Sequence, residues 1–180
     1  MSEGLLLISG SLRTGSLNRL LLAEAARAFG TRGIVASIAM PLYDGDMEDA
    51  EGPPPEAHRL SEQIAAADAV AVATPEYNHS LSGSLKNALD WVSRIDGNPW
   101  LDKPVAIMSA AAGRTGGARA QYALRLALNP FRPRLLTGPE LMVAQARTAF
   151  GEDGRLTNER YAQTLETLMA ALRKEVDRGR

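Results

Sequence analysis

The 180-residue sequence has no cysteine and only two histidines, His58 and His79. Without thiols there can be no disulfide, no thiolate nucleophile and no cysteine-ligated zinc or iron–sulfur centre. Charge of a dominant sign is missing too, since 20 Lys and Arg stand against 21 Asp and Glu at a pI near 6.1. That balance supplies no basic field for nucleic acid. No apolar run approaches the roughly 20 residues of a membrane-spanning helix, and the N-terminus lacks a basic region followed by a longer apolar core. Also absent are G-x-x-x-x-G-K-S/T, G-x-G-x-x-G and G-x-S-x-G. A nucleotide-hydrolysing loop, a dinucleotide fingerprint and a hydrolase nucleophile elbow are thereby disfavoured. The expectation is a soluble cytoplasmic protein with one domain over 1–180, binding neither membrane nor nucleic acid.

The sequence does contain a β-α alternation repeated five times. Leu5 to Ser9 is continuously apolar, as a strand covered on both faces should be, and Leu17 to Phe29 follows with helical spacing. Further strands are expected at Ile34 to Ile38, Ala69 to Thr74 and Pro104 to Met108. A fifth combines Leu135, Leu136 and Leu141 to Ala144, with Gly138-Pro139 as its point of interruption. Helices are expected from Glu56 to Asp68, from about Leu81 to Val92, from Ala118 to Leu128 and from Asn158 to Val176. Crossovers of this length fit an α/β three-layer sandwich with a five-stranded parallel sheet of order 2-1-3-4-5.

Met40 to Pro55 reads as a solvated acidic loop. Its Asp44, Asp46 and Glu48 superficially suggest calcium, but Asp49 occupies the position where the loop needs glycine, so no metal site is expected. Trp91 and Trp100 are taken first as core or subunit-interface residues, and His58 as an exposed helical residue.

Three loops carry the candidate chemistry. Ser9 to Asn18 reads S-G-S-L-R-T-G-S-L-N at a strand-to-helix turn, where unpaired helix N–H groups and a partial positive charge favour an anion. Ser11, Ser16 and Asn18 can add donors, and Arg13 a planar fork of charge-assisted bonds. The same residues also suit a simple helix cap. Thr74 to Gly83 puts proline, carboxylate, aromatic, amide and imidazole at the carboxyl end of the third strand. Ser109 to Gly117 is a small-residue loop that lets backbone approach a ligand. In the sheet order above these loops converge at the switch point between the first and third strands, which suits a mononucleotide with a flat ring such as FMN.

With G-S-L-R-T-G-S-L-N, T-P-E-Y-N-H-S, M-P-L-Y-D-G-D and A-A-G-R-T-G-G-A-R-A-Q-Y-A-L-R in view, the chain resembles the NADPH-dependent FMN reductase family of flavodoxin-like quinone, chromate and azo-dye reductases. The resemblance covers nearly the whole chain. It implies FMN phosphate contacts from Ser11, Arg13, Ser16, Leu17 and Asn18, many of them through backbone atoms. It implies ring contacts from Pro75, Glu76, Tyr77 and Asn78, and pyrimidine-edge contacts from Ser109 and Gly113. Glu76 alternatively serves as a structural carboxylate on local N–H groups. The implied reaction is hydride transfer from NADPH or NADH to FMN, then electron delivery to a quinone, chromate, azo compound or free flavin, with no catalytic nucleophile or base in the protein. A homodimer or homotetramer is also implied, with contact candidates at Tyr43 and Asp44 and at Arg119, Tyr122 and Arg125. The sequence leaves the roles of His79, Arg114 and Arg119 open. Two rivals are carried: a flavodoxin-like FMN carrier without NAD(P)H oxidation, disfavoured by the modest net charge, and a non-flavin relative such as a phosphate-binding module or hydrolase.

Overall fold

In the computed structural model, residues 4–179 are described. β1 (Leu5–Ser9) is buried at every position because helices cover both faces of the sheet. Successive side chains of a strand point to opposite faces, and β1 shows the consequence. Leu5 and Leu7 enter one core with Leu21, Ala25 and Phe29 of α1 (Leu17–Phe29) and with Leu165, Leu168 and Leu172 of α6 (Glu159–Arg178). Leu6 and Ile8 enter the other, with Leu60 and Ile64 of α3 (Pro55–Ala66), Leu85 and Leu89 of α4 (Gly83–Val92), and Leu124 and Leu128 of α5 (Ala118–Leu128). β3 (Ala69–Thr74) and β4 (Pro104–Ala110) are likewise buried throughout.

All pairings are parallel, in the order β2-β1-β3-β4-β5. β5 (Arg134–Leu135) pairs the start of β4, whereas β6 (Leu141–Val143) pairs its end, so the fifth strand position is interrupted around Gly138-Pro139. The flavodoxin-like arrangement expected from the sequence is therefore present, with its fifth strand in two pieces.

Two local expectations need correction. β2 spans only Ile34–Ala36. Ile38 is still buried against the α3/α4 core, but it lies beyond the last residue registered with β1. More substantially, the acidic stretch is not all loop. It contains α2 (Gly45–Glu51), whose start is capped by Asp44 accepting from the Asp46 N–H at 2.9 Å. Tyr43 Oη donates to Glu48 Oε2 at 2.9 Å, and Arg94 Nε donates to Glu48 Oε1 at 2.8 Å. Asn87 and Trp91 tie the preceding backbone to α4, because Asn87 Nδ2 and Trp91 Nε1 both donate to the Pro41 carbonyl at 2.8 Å. Of the acids in this stretch, Asp44 is a cap and Glu48 an ion-pair partner, while α2 has no buried residue. Trp91 and Trp100 are both fully buried, as core residues.

Candidate functional site

The carboxyl ends of β1, β3 and β4 open onto a cleft of about 510 Å³. Its first wall is the β1–α1 turn, where Ser11, Arg13, Gly15, Ser16, Leu17 and Asn18 face the space. α1 begins without a side-chain cap, although Ser16 stands at the capping position in extended conformation. The backbone N–H groups of Thr14, Gly15, Ser16, Leu17 and Asn18 have no hydrogen-bond partner among the described residues, the first bonded amide being that of Arg19. Five successive free donors at the positive end of a 13-residue helix form an anion cradle. They fit the phosphate of a mononucleotide.

The Asn18 side chain does different work from a phosphate ligand. It is buried, its Nδ2 donates to the Ala110 carbonyl and its Oδ1 accepts from the Ala110 N–H, each at 2.9 Å. This paired clasp fixes the first turn of α1 against the end of β4. What Asn18 offers the cleft is its backbone amide.

The second wall comes from β3. Pro75 is buried at its foot, and Glu76 and Tyr77 line it. Glu76 Oε2 accepts from the Arg119 N–H at 3.1 Å and Oε1 lies 3.6 Å from the Arg119 guanidinium, so this carboxylate caps α5. The structural role held open for Glu76 is thus occupied, and Arg119 has its carboxylate. Beyond Tyr77 the chain reverses at once: Tyr77 and Ser80 exchange backbone bonds at 3.0 Å, and Asn78 and His79 take φ of 48° and 65°. That is a left-handed two-residue turn. Asn78 and His79 are exposed on it, next to the cleft rather than in its lining.

The third wall is Ala110 to Ala112. Ser109 does not reach it. Its side chain is fully buried, donating from Oγ to the Gly116 carbonyl at 2.6 Å and accepting from Gln121 Nε2 at 2.8 Å. Gln121 also donates to the Leu141 carbonyl at 2.8 Å. Gly116 and Gly117 allow this closure, since both have positive φ and an added Cβ would sit 2.6 Å from Met142 backbone or 2.7 Å from Ser109 Cβ. Gly113 and Arg114 are exposed on the loop, outside the lining.

A fourth wall was not read from the sequence. A short 3₁₀ turn, Ala146–Thr148, brings Arg147 to the cleft. No motif marks it. Its place depends on β6 pairing with the end of β4, which a linear pattern does not reveal.

Fold and cleft together define a flavodoxin-like mononucleotide-binding protein, with the cradle at the topological switch point. Residues 4–148 match the model of the NADPH-dependent FMN reductase family, and the chain belongs to that family. It is 46% identical over 176 residues to an NAD(P)H-dependent FMN reductase of Pseudomonas aeruginosa, covering 96% of this chain and 95% of the relative. It is 44% identical over 148 residues to a quinone reductase of Escherichia coli K12, covering 79% of each. Among solved structures it superposes on FerB, a flavoenzyme NAD(P)H:(acceptor) oxidoreductase of Paracoccus denitrificans, with TM-score 0.86, 31% identity and 98% of both chains covered. An archaeal flavodoxin shares the fold at TM-score 0.63 and 10% identity, covering 97% of this chain and 99% of that one. Membership makes the chain an FMN- and NAD(P)H-dependent oxidoreductase rather than a passive carrier.

Proposed function

We propose that this protein oxidises NAD(P)H through FMN held in the cleft and passes the electrons to a quinone or a similarly flat, oxidising small molecule. The observation that carries the reading is the row of amides unpartnered among the described residues, Thr14 to Asn18, of which Gly15 to Asn18 belong to residues lining a cleft that the rigid Pro75 also lines. Bound there, FMN supplies the redox chemistry, taking a hydride from the nicotinamide and returning electrons to the acceptor. The chain's own residues bind and orient. Ser11, Arg13, Ser16, Leu17 and Asn18 hold the phosphate end, the last two through backbone N–H. Pro75, Glu76 and Tyr77 flank the ring, with Asn78 at its edge. Gly113 offers backbone beside the pyrimidine edge, while Ser109 acts beneath that loop by holding it in place.

Tyr77, half exposed, gives the cleft an open aromatic rim suited to flat acceptors. Exposed Tyr122 and Leu126 lie one turn apart on α5, and Tyr43 with Leu42 forms a second apolar patch. We assign these to contacts between copies of the chain in a homodimer or homotetramer. No described helix is long and apolar enough to cross a membrane. A cytoplasmic location accords with the supply of the nicotinamide donor.

The decisive experiment is NADPH and NADH consumption by FMN-loaded protein with a quinone, an azo dye, chromate and free flavin in separate assays. Turnover with the quinone well above a flavin-only blank is expected. Bound flavin without turnover above that blank would return the protein to the carrier class.

A further inference from the structure

We propose that Arg147 is a phosphomonoester-binding residue of the cleft, a second guanidinium side chain lining it together with Arg13. The inference rests on the FMN-site reading above and adds to it a wall and a charge. Its first support is placement. The Ala146 N–H donates to the Ala111 carbonyl at 3.0 Å and the Gln145 N–H to the Gly113 carbonyl at 3.1 Å. Ala111 in turn donates its N–H to the Val143 carbonyl at 3.1 Å. Ala146 and Ala149 are buried in the core on either side of Arg147. The turn is fixed at both ends, so Arg147 is delivered to the cleft rather than trailing from a free loop.

The second support is the route from the cradle to Arg147. The Asn18 side chain grips Ala110, and the next residue, Ala111, is gripped by Ala146. Two adjacent backbone positions thus join the first turn of α1 to the Arg147 turn, and residues of both turns line the same cleft.

The third support is charge. The charged residues lining the cleft are Arg13, Glu76 and Arg147. Glu76 is already committed to Arg119. Among the described residues neither Arg13 nor Arg147 has a carboxylate partner. Two guanidinium groups without carboxylate partners lining one cleft favour a dianion over a monoanion, and a phosphomonoester carries close to two negative charges at neutral pH. Two participants in the reaction bear such a group, FMN at its terminal phosphate and NADPH at its 2′-phosphate. Riboflavin and NADH are the matching molecules without it.

The test uses the full-length chain freed of flavin, titrated with FMN and with riboflavin by quenching of flavin fluorescence. KM values for NADPH and NADH are then measured on the FMN-saturated protein. Arg147→Ala is compared with wild type and with Arg59→Ala, which removes an exposed arginine of α3 outside the cleft. A roughly tenfold weaker FMN complex with riboflavin unchanged assigns Arg147 to the flavin phosphate. A roughly tenfold higher KM for NADPH with NADH unchanged assigns it to the nicotinamide cofactor's phosphate. Either supports the proposal. FMN affinity and the NADPH-to-NADH ratio both within twofold of wild type overturn it, as does equal weakening of both flavins or an equal effect of Arg59→Ala. Failure of wild-type protein to bind FMN at all would instead overturn the underlying site reading.

Discussion

The turn after β1 and the loop after β4 are both short, glycine-bearing and rich in small polar residues, yet the structure uses them in opposite ways. After β1 most donors of the turn are left open: among the described residues five successive backbone amides, Thr14 to Asn18, lack partners, Arg13 has no carboxylate, and Ser16 does not cap its helix. After β4 the polar groups close on one another, Ser109 to Gly116, Gln121 to Ser109 and to Leu141. Residue type alone does not distinguish a binding loop from a supporting one. The difference lies in whether the fold has already satisfied the hydrogen bonds.

The contrast can be broken most severely at Gly116. Gly116→Val puts a branched side chain into Met142 backbone at a left-handed φ. It should cost on the order of 3 kcal/mol or more of stability. Thermal melting checks this, and a melting temperature near wild type would show that the closed loop yields easily. Asn18→Ala comes next. It orphans both polar groups of Ala110 and should cost about 2–4 kcal/mol, read from urea unfolding. A loss confined to FMN affinity, with stability intact, would move Asn18 from the closed class to the open one.

Arg13→Ala belongs to the open class. FMN should bind about tenfold more weakly while the flavin-free protein melts as wild type does. An unchanged dissociation constant would show that the guanidinium points elsewhere. A pair of serines sharpens the comparison further. Ser82 accepts from the Leu85 N–H at the start of α4 and donates to the Gly10 carbonyl. Ser82→Ala should therefore destabilise by about 1 kcal/mol. Ser16→Ala, at the matching position of α1, should leave flavin-free stability within about 0.5 kcal/mol of wild type and act on FMN affinity only.

The smallest effect concerns α2. Hydrogen bonds from Arg94 and then Tyr43 hold the Glu48 carboxyl below its ordinary pKa of 4.5. A depressed carboxylate pKa stabilises the fold above the unfolded value and stops doing so as pH falls through the folded one. Amide exchange in Gly45–Glu51 should consequently speed up as pH drops below the ordinary carboxylate range, once corrected for intrinsic rates. Unchanged protection there would mean that Asp44 and the α4 clasp suffice.

The sheet was legible because β1, β3 and β4 are buried on both faces and so read as unbroken apolar runs. Length and connection then narrowed the topology to one order. α2 was not legible, since its seven residues have no buried member and carry no apolar stripe. In the cleft, Ser11, Arg13 and Ser16 announced themselves through a motif at a helix start. Ser109 was placed in the right loop, but the direction of its hydroxyl depends on Gln121, a partner 12 residues away. Arg147 gave no sign because its position is set by a strand pairing between separate parts of the chain.

The bare start of α1 has one more consequence. A helix that lacks its own cap is, in effect, written one group short, and the arriving anion is that missing group. The ligand then completes a secondary-structure element as well as occupying a site, and the balance between native and unfolded chains must follow its concentration. At one hundred times the dissociation constant the gain is about 2.7 kcal/mol. If FMN phosphate is that anion, as proposed above, the melting temperature of the protein should rise with the concentration of free FMN.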